Sequence, residues 1–386
     1  MDVFIANQHV GELIIRDKSS TFIYTSAWQK RGFSIAPNLS IRIKEHHVVG
    51  LHGILTDAAP DRWGRKLIER KHEGGYVTEQ DYILGVSDHL RLGALRFSLD
   101  GGKTFEGKED KIPPLTSLPK FKLLTDAMMR GEEHDYSELI SNASLGGARA
   151  KIIVMDQNEQ YIAKIPQIYD QDDVEGWEYV CLKLAHEAGI TVPPCTLHGD
   201  ANSHTLLLSR FDRNADSRIH YMSAMTLMGL KDGDDSTYIE LAFEITDKLG
   251  PECLAELYRR MLFNILVSNT DDHLRNHGFL YQDGWKISPA FDITMSNRPY
   301  GSNHALRLND EDRDDFETAI NICEYFGLNK AQAVAMLAEV IAASEQWQSI
   351  AASAGVRDTT KAAKSIFVAE AKAVVEAHKQ TLKGKR

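Results

Sequence analysis

The chain contains few cysteines, and they are not arranged in pairs. Its 386 residues include four, Cys181, Cys195, Cys253 and Cys323, and no two of them are spaced as Cys-x-x-Cys. The pattern fits neither a zinc site nor the disulfide framework of a small secreted protein. We expect free thiols in a reducing cytoplasm.

Long apolar runs and an excess of positive charge are also missing. No apolar stretch reaches the length needed to cross a bilayer, and the first residues, Met1-Asp2-Val3-Phe4, lack the basic and apolar regions of a signal peptide. The formal net charge is −11 at pH 7, so the whole chain is a poor unaided binder of nucleic acid. With 43% hydrophobic and 26% charged residues, the composition is that of a soluble globular protein.

The length of the chain predicts more than one core. Residues 1 to about 50 read as short strands, with a turn at Asn7-Gln8-His9. A helix then begins at Asp57 or at Pro60-Asp61, where an acidic residue lies near the positive end of the helix. Turn-forming residues and prolines over 100–120 indicate a linker.

From about residue 216 the sequence pattern becomes mainly helical. The predicted helices are Tyr238–Lys248, Glu252–Val267, Asn329–Glu345 and Thr360–Leu382. We therefore expect three parts, which span residues 1–118, 119–215 and 216–386.

The stretch from Asn269 to Ile293 carries the strongest functional signal. An apolar, helix-like run over Leu257–Val267 leads into the polar sequence Asn-Thr-Asp-Asp-His-Leu-Arg-Asn-His. A short apolar hairpin around Asp283-Gly284 follows and ends in Ser-Pro-Ala-Phe-Asp-Ile. A helix thus delivers one polar loop, and a hairpin delivers a second carboxylate.

Three side chains in this stretch have the types and spacing that phosphoryl transfer uses. Asp271 and Asn276 are spaced as Asp-x-x-x-x-Asn, like the catalytic loop of kinases, and Asp292 stands where a strand presents a metal-binding carboxylate. The reaction needs one carboxylate to take a hydroxyl proton, plus an amide and a second carboxylate to hold magnesium. A polar turn with capping Asn and Asp residues is the alternative.

These segments resemble the HipA family of bacterial serine/threonine kinases, the toxin half of HipBA-type toxin–antitoxin pairs. Residues 60–65, Pro-Asp-Arg-Trp-Gly-Arg, resemble the family's N-terminal signature, and Ser144–Lys151 resembles its Ser-x-x-Gly-Ala-x-x-Lys loop. The resemblance covers roughly 300 residues. It implies an α+β, two-lobed protein-kinase-like fold, with an α/β N-terminal part that includes a small subdomain and an all-helical C-terminal lobe.

The resemblance also assigns a phosphate-binding loop. Gly146 and Gly147 stand in it with Ser144, Ala148 and Lys151, and backbone N–H groups around paired glycines can approach phosphates closely. An ordinary hairpin entry is an equally good interpretation of the glycines alone. In the family the serine of this loop is a self-phosphorylation site, and Ser144 occupies the matching place.

Further ATP-binding residues follow in the order that kinases have them. Lys164 is either on the exposed face of a strand or aimed at the α/β-phosphates, and Glu178, in the predicted helix Val174–Ala188, is either its ion-pair partner or a solvated residue. In the family the segment that contains Ser209 and Phe211 holds the adenine. Many relatives have an acidic residue at the position of Ser209, where the backbone still offers hydrogen bonds.

By position in the family motif, Asp271 is the catalytic base, and Asn276 and Asp292 are ligands of Mg²⁺. His273 and Arg275 flank the base, and a cation at Arg275 can stabilise charge on the transferred phosphoryl group. Asp272 departs from the family pattern, in which a small residue is usual. A second carboxylate beside Asp271 can raise the pKa of a neighbour.

The resemblance implies ATP and Mg²⁺ as cofactors and a protein hydroxyl as acceptor. Known family targets include translation components such as aminoacyl-tRNA synthetases. It also implies a HipB-like DNA-binding antitoxin as partner, DNA contact only through that antitoxin, and no membrane contact. Two alternatives stay open: a weakly catalytic binding subunit of an antitoxin–DNA repressor complex, and a small-molecule phosphotransferase, which the Trp-Gly-Arg segment disfavours.

Overall fold

The computed structural model of the protein describes residues 1–16, 18–60, 62–71, 75–105, 111–142, 149–200, 203–214, 217–357, 362 and 365–383. The chain forms two compact units. The first contains Met1–Tyr169, Leu207–Lys231 and Phe279–Asp283, and the second contains Asp170–Leu206, Asp232–Gly278 and Gly284–Arg386. Both units therefore draw on separate stretches of sequence, and the predicted boundaries at 118 and 215 stay predictions.

The first unit begins with a five-stranded antiparallel sheet in the order β4-β3-β2-β1-β5. Its strands are β1 (Asp2–Ile5), β2 (Gln8–Arg16), β3 (Ser19–Tyr24), β4 (Glu45–Val49) and β5 (Leu95–Ser98). The predicted turn at Asn7-Gln8-His9 is wrong by one residue, because Gln8 already pairs with Ile5 and His9 with Phe4. The turn instead includes Ala6, whose φ is +53°.

The helices of the first unit are short. They are Ser26–Arg31, Gly53–Asp57, Arg62–Lys71, Glu79–Leu84, Leu118–Met129, Ser137–Asn142 and Ala224–Met228, with a 3₁₀ turn at Leu115–Ser117. Asp57 ends a helix, so the predicted helix start at this residue is wrong. Its carboxylate accepts hydrogen bonds from the Ser223 backbone N (2.8 Å) and Oγ (2.7 Å), which fixes the start of the helix Ala224–Met228. The alternative start after Pro60 agrees with the helix Arg62–Lys71.

A second hairpin of the first unit consists of β6 (Lys151–Asp156) and β7 (Glu159–Lys164). One face of it covers an apolar cluster of Phe121, Met128, Leu139, Ala150, Ile152, Val154, Ala163, Ile165 and Leu207. The Met155 backbone N donates to the Pro113 carbonyl at 2.8 Å. The second half of the predicted linker is therefore packed against β6.

A buried ionic cluster holds the chain near residue 91 against the segment that follows the strand Ser203–Ser209. Arg210 and Arg213 both donate to the Asp212 carboxylate at 2.7 Å, and both donate to the Arg91 carbonyl. Asp212 also accepts from the Gly93 backbone N at 2.8 Å. Burial alone would raise the pKa of Asp212, but the two arginines lower it to about 2, so the carboxylate is ionised.

The second unit is mainly helical. Its helices are Val174–Glu187, Tyr238–Lys248, Leu254–Leu266, Phe316–Asn321, Lys330–Ser344, Trp347–Ala354 and Val368–Lys383, with 3₁₀ turns at Pro251–Cys253, Leu274–Asn276 and Cys323–Phe326. The strands Cys195–Asp200 and Trp285–Ile287 also lie in it. The remaining short strands of the protein are Arg213–Asn214, Ser217–Arg218, His220–Ser223 and Gly278–Tyr281.

Most of the predicted helices are confirmed. Tyr238–Lys248 has the predicted bounds, and Asn329 caps the helix Lys330–Ser344 through a capping box with Gln332. Residues 216–386 also contain short strands, so this part is mainly but not entirely helical. Within the described ranges, no helix is both long and apolar enough to span a membrane.

The buried His220 generates a prediction about acid stability. Its Nε2 lies 2.8 Å from the Ile35 carbonyl, and burial lowers its pKa to about 4. An unfolded histidine has a pKa of about 6.5. The contribution of neutral His220 to the free energy of unfolding is therefore present in full above about pH 6.5, and it is lost as the pH falls toward 4. We predict that His220→Gln loses less stability than the wild type between pH 7 and 5 in thermal melts. Exposed His198→Gln is the control, and identical pH slopes for wild type and His220→Gln would contradict the assignment.

Candidate active site

The polar loop predicted to be catalytic starts at a sharply defined helix end. The helix Leu254–Leu266 is buried along most of its length and stops where Ser268 takes a left-handed conformation, with φ +54°. The Asn269 backbone N donates to the Asn264 carbonyl at 2.9 Å, a Schellman-type closure. The Asn269 side chain also donates to the Asn264 side chain at 3.1 Å. The direction in which the loop leaves the helix is thereby fixed.

Asp272 is the buried anchor of this loop. It is 2% exposed; one carboxylate oxygen accepts from the Tyr238 hydroxyl, and the other lies 2.9 Å from His277 Nε2. Its carbonyl accepts from the Leu306 backbone N at 2.7 Å. Burial alone would raise the pKa of Asp272, but His277, Tyr238 and His304 hold it below its usual value. The carboxylate is therefore ionised inside the protein.

Asp271, the neighbouring residue, is exposed. Its carbonyl accepts from Asn276 Nδ2 at 3.3 Å, and the Asn276 backbone N donates to the His273 carbonyl at 2.8 Å. These bonds close the loop into the 3₁₀ turn Leu274–Asn276. Of the two adjacent carboxylates, Asp272 is occupied by structural partners and Asp271 faces solvent.

The two residues predicted to flank the base have different surroundings. His273 is partly buried and begins the 3₁₀ turn. Arg275 forms a bidentate ion pair with Asp232, in which Nε and Nη2 donate to the two carboxylate oxygens at 2.8 and 3.0 Å. Asp232 is 75% exposed, and exposed pairs contribute only about 0–1 kcal/mol. Loss of the pair with Asp232 would therefore by itself cost little.

The two predicted magnesium ligands come from adjoining segments of the second unit. Asn276 is buried, and it lines a cavity of about 10 Å³ together with Phe291 and Ile293, the neighbours of Asp292. Asp292 has φ +55°, a conformation that costs energy outside glycine and is often found at functional sites. An amide and a carboxylate oxygen suit Mg²⁺, which commonly takes one or two carboxylates and completes its shell with phosphates and water. Across the described ranges, no group of three or more His, Cys, Asp or Glu side chains could hold a metal ion.

Two candidate phosphate-binding lysines face each other in the first unit. Lys151 and Lys164 are directly opposite in the antiparallel pair β6–β7 and are 6% and 5% exposed. The alternative of an exposed Lys164 is therefore wrong. Like charges in directly opposed strand positions are unfavourable, and each lysine also has a further interaction partner.

The rest of the predicted phosphate loop, namely Ser144, Gly146, Gly147 and Ala148, lies outside the described residues. Glu178 is 3% exposed, so the alternative interpretation of this side chain as a solvated residue is wrong. Glu178 belongs to the second unit and Lys164 to the first, and their pairing stays a prediction.

The residues predicted to lie near adenine are partly buried in the first unit. The Phe211 ring is 6.2 Å from the ring of Tyr221, and Ser209 is the last residue of the strand Ser203–Ser209. Their contact with adenine stays a prediction. Sequence reasoning missed the ionic cluster on either side of Phe211, although the alternation of charges in Arg-Phe-Asp-Arg was a visible signal for it.

Sequence comparison identifies the family. Residues 143–348, more than half of the chain, match the HipA-like C-terminal domain. Residues 1–98 match the HipA N-terminal domain. The chain belongs to the HipA family.

The chain is also similar to solved structures. A chain from the Shewanella oneidensis MR-1 complex of HipA, HipB and operator DNA has a TM-score of 0.69 at 17% identity, over 97% of this chain and 96% of that chain. It confirms the predicted α+β HipA-like fold. The Helicobacter pylori proinflammatory kinase CtkA is 18% identical, over 60% of this chain and 93% of that one, with a TM-score of 0.40.

Among curated proteins, "Putative kinase Y4dM" of Sinorhizobium fredii is 24% identical over 246 residues. The match covers 58% of this chain and 59% of that relative. The chain therefore spans a little over half the length of this curated relative.

The burial of Asp272 predicts an asymmetry between neighbouring substitutions. Asp272→Ala leaves the Tyr238 hydroxyl and His277 without their acceptor and should lower the free energy of unfolding by about 3 kcal/mol. Asp271→Ala, one residue away and exposed, is the matched control and should change it by less than about 0.5 kcal/mol. Urea denaturation of both variants is the measurement. Equal losses would show that Asp272 is not the anchor of the loop.

Proposed function

We propose that the chain is an ATP- and Mg²⁺-dependent protein serine/threonine kinase of the toxin type. The observation that carries the proposal is that two adjacent carboxylates have different environments. Asp272 is buried and fixed, while Asp271 is exposed on the loop that Asp272 holds. A general base has to be accessible to a substrate and rigidly placed, and Asp271 meets both requirements.

In the proposed reaction, a serine or threonine oxygen of the substrate attacks the γ-phosphorus of ATP. Asp271 takes the hydroxyl proton, and ADP leaves with the bridging oxygen. Asn276 and Asp292 would hold Mg²⁺, which neutralises charge on the phosphates. Arg275, once released from Asp232, adds a cation near the transferred group, and His273 helps to shape the turn.

The first unit supplies the proposed nucleotide contacts. Lys151 and Lys164 concentrate positive charge at one end of the hairpin β6–β7, where the α/β-phosphates would bind. Gly146, Gly147 and Ala148 would wrap the phosphates, and Glu178, a residue of the second unit, is the proposed ion-pair partner of Lys164. Ser209 and Phe211 would contact the adenine. The parts 1–118, 119–215 and 216–386 are proposed as subdomain, N-lobe and C-terminal lobe.

The proposed setting is the bacterial cytoplasm, with a HipB-like antitoxin as partner. The Shewanella HipA relative is described in complex with HipB and operator DNA. The net charge of −11 favours contact with DNA only through such a partner. The proposed substrate is a cytosolic protein, such as an aminoacyl-tRNA synthetase or another translation component.

The same complex favours a second candidate function, a weakly catalytic corepressor subunit of an antitoxin–DNA assembly. Two measurements separate the candidates. A kinase consumes ATP and labels protein in the absence of antitoxin, whereas a corepressor subunit changes only the affinity of the antitoxin for its operator.

Self-phosphorylation at Ser144 is part of the proposal. A phosphoserine adds about −1.5 to −2 charges, so in the phosphate loop it would repel ATP and switch the enzyme off without unfolding it. Mass spectrometry after incubation with Mg·ATP is the test. An unmodified Ser144 in active protein would reduce this serine to a turn-capping residue.

Removal of the proposed base should lower turnover sharply and leave the fold intact. Asp271→Asn keeps the size of the side chain but cannot take the proton, so phosphoryl transfer should fall by about 10²–10⁴-fold. The measurement is transfer of labelled γ-phosphate to protein, with circular dichroism as the check on folding. Wild-type activity in Asp271→Asn, combined with loss of activity in folded Asp272→Asn, would move the base to Asp272.

The proposed metal ligand can be separated from backbone strain by a matched pair of substitutions. Asp292 and Asp283 both have φ +55°, so alanine imposes a similar backbone cost at either position. Asp292→Ala should lose the Mg²⁺ dependence of ATP binding in calorimetry, and Asp283→Ala, in the exposed hairpin turn, should keep it. Unchanged Mg²⁺ dependence in Asp292→Ala would remove this residue from the metal site.

A further inference from the structure

An open groove of about 820 Å³ lies beside Asp271 in the second unit. One wall is the loop at Thr270 and Asp271, and the other is the stretch between Ser296 and Ala305. Asp271 is exposed in this groove. A hydroxyl that gives its proton to Asp271 has to come within about 3 Å of it, so an acceptor side chain reaches the base through the groove.

The outer wall of the groove is tied to the catalytic loop at both ends. The Ser296 backbone N donates to the Ser268 carbonyl at 2.9 Å, and the Ala305 backbone N donates to the Thr270 carbonyl at 2.9 Å. These two bonds fix the ends of the wall relative to Asp271. The residues between Ser296 and Ala305 form the wall itself.

Arg298 is the basic residue of this wall. It is exposed, and among the described residues no carboxylate lies within ion-pair distance of its guanidinium. Arg275, by contrast, is paired with Asp232. Arg298 instead presents its charge to the groove.

The lining suits a polypeptide better than a small molecule. Apart from Ala305 its side chains are all polar, and Ser296, Ser302 and Asn303 offer hydroxyl and amide groups to the N–H and C=O groups of an extended backbone. Small-molecule sites are mostly enclosed and apolar.

We propose that the groove binds the acceptor segment of the protein substrate, and that Arg298 selects an aspartate or glutamate close to the acceptor serine or threonine. A guanidinium can bind a carboxylate through two parallel hydrogen bonds, which gives preference for acidic over neutral or basic neighbours. This inference rests on the proposed kinase function and adds a specificity determinant to it.

The test compares acceptor peptides on the full-length chain. Serine-centred peptides that carry Asp, Ala or Lys near the serine are assayed for phosphorylation with Mg·ATP, and their binding is measured by fluorescence anisotropy. The wild type should favour acidic over basic peptides by roughly 3–10-fold in both assays. Arg298→Glu should invert the ratio, and Arg298→Lys should keep part of it. Arg357→Glu, the same charge change at an exposed position outside the groove lining, should leave the ratio unchanged.

The binding assay and the phosphorylation assay test separate claims. Phosphorylation with no acidic preference, or a preference that Arg298→Glu and Arg357→Glu alter equally, overturns the role of Arg298. Acid-selective binding that depends on Arg298 but is followed by no phosphorylation supports the groove and counts against the kinase function. Absence of acid-selective binding overturns the inference whether or not the chain transfers phosphate.

Discussion

The site depends on one buried charge. Asp272 is ionised inside the second unit because the Tyr238 hydroxyl and His277 compensate for its lost hydration. A buried carboxylate without such partners would cost several kcal/mol. The interaction joins the helix Tyr238–Lys248 to the loop, and it forces the neighbouring Asp271 to the surface. The position of the proposed base is thus set by a residue that need not touch the substrate.

Backbone conformation positions the other segments of the candidate site. Left-handed conformations at Ser268 and Asp292 mark the start of the loop and the segment beside Asn276. Such conformations cost energy in residues other than glycine and are kept where the surrounding structure requires them. Asn276 and the two neighbours of Asp292 line one small cavity. This proximity supports the magnesium site in the kinase proposal.

The sequence predicted the parts of the fold that depend on local patterns. The helix Tyr238–Lys248 has strong capping residues, and the Asp283-Gly284 turn is a local hairpin signal; both are found where they were predicted. The Asp-x-x-x-x-Asn spacing is also a local pattern, and the catalytic role that it predicted for the loop stays a prediction. The burial of Asp272 was not predicted, because its partner Tyr238 is distant in sequence and nothing local indicates the contact. The family resemblance drew attention to Asp272 only as a departure.

Interactions between distant segments account for the other differences. Asp57 resembled a helix start, but its carboxylate bonds to Ser223 and it ends a helix instead. The cluster around Asp212 joins segments more than a hundred residues apart, and residue types alone do not show which carbonyls its arginines reach. Local signals therefore identified elements and candidate residues, and tertiary contacts decided which carboxylate is buried and which is exposed.

The central claim is that the chain transfers phosphate from ATP to protein with the exposed Asp271 of this loop as general base. The most direct measurement is incubation of a bacterial extract with the full-length chain and ATP labelled in the γ-phosphate, followed by phosphosite mapping. The account predicts labelled serine or threonine residues in an extract protein with the wild type, and labelling that is slower by about 10²–10⁴-fold with Asp271→Asn. Absence of labelled protein with the wild type, or equal labelling by both, would contradict it.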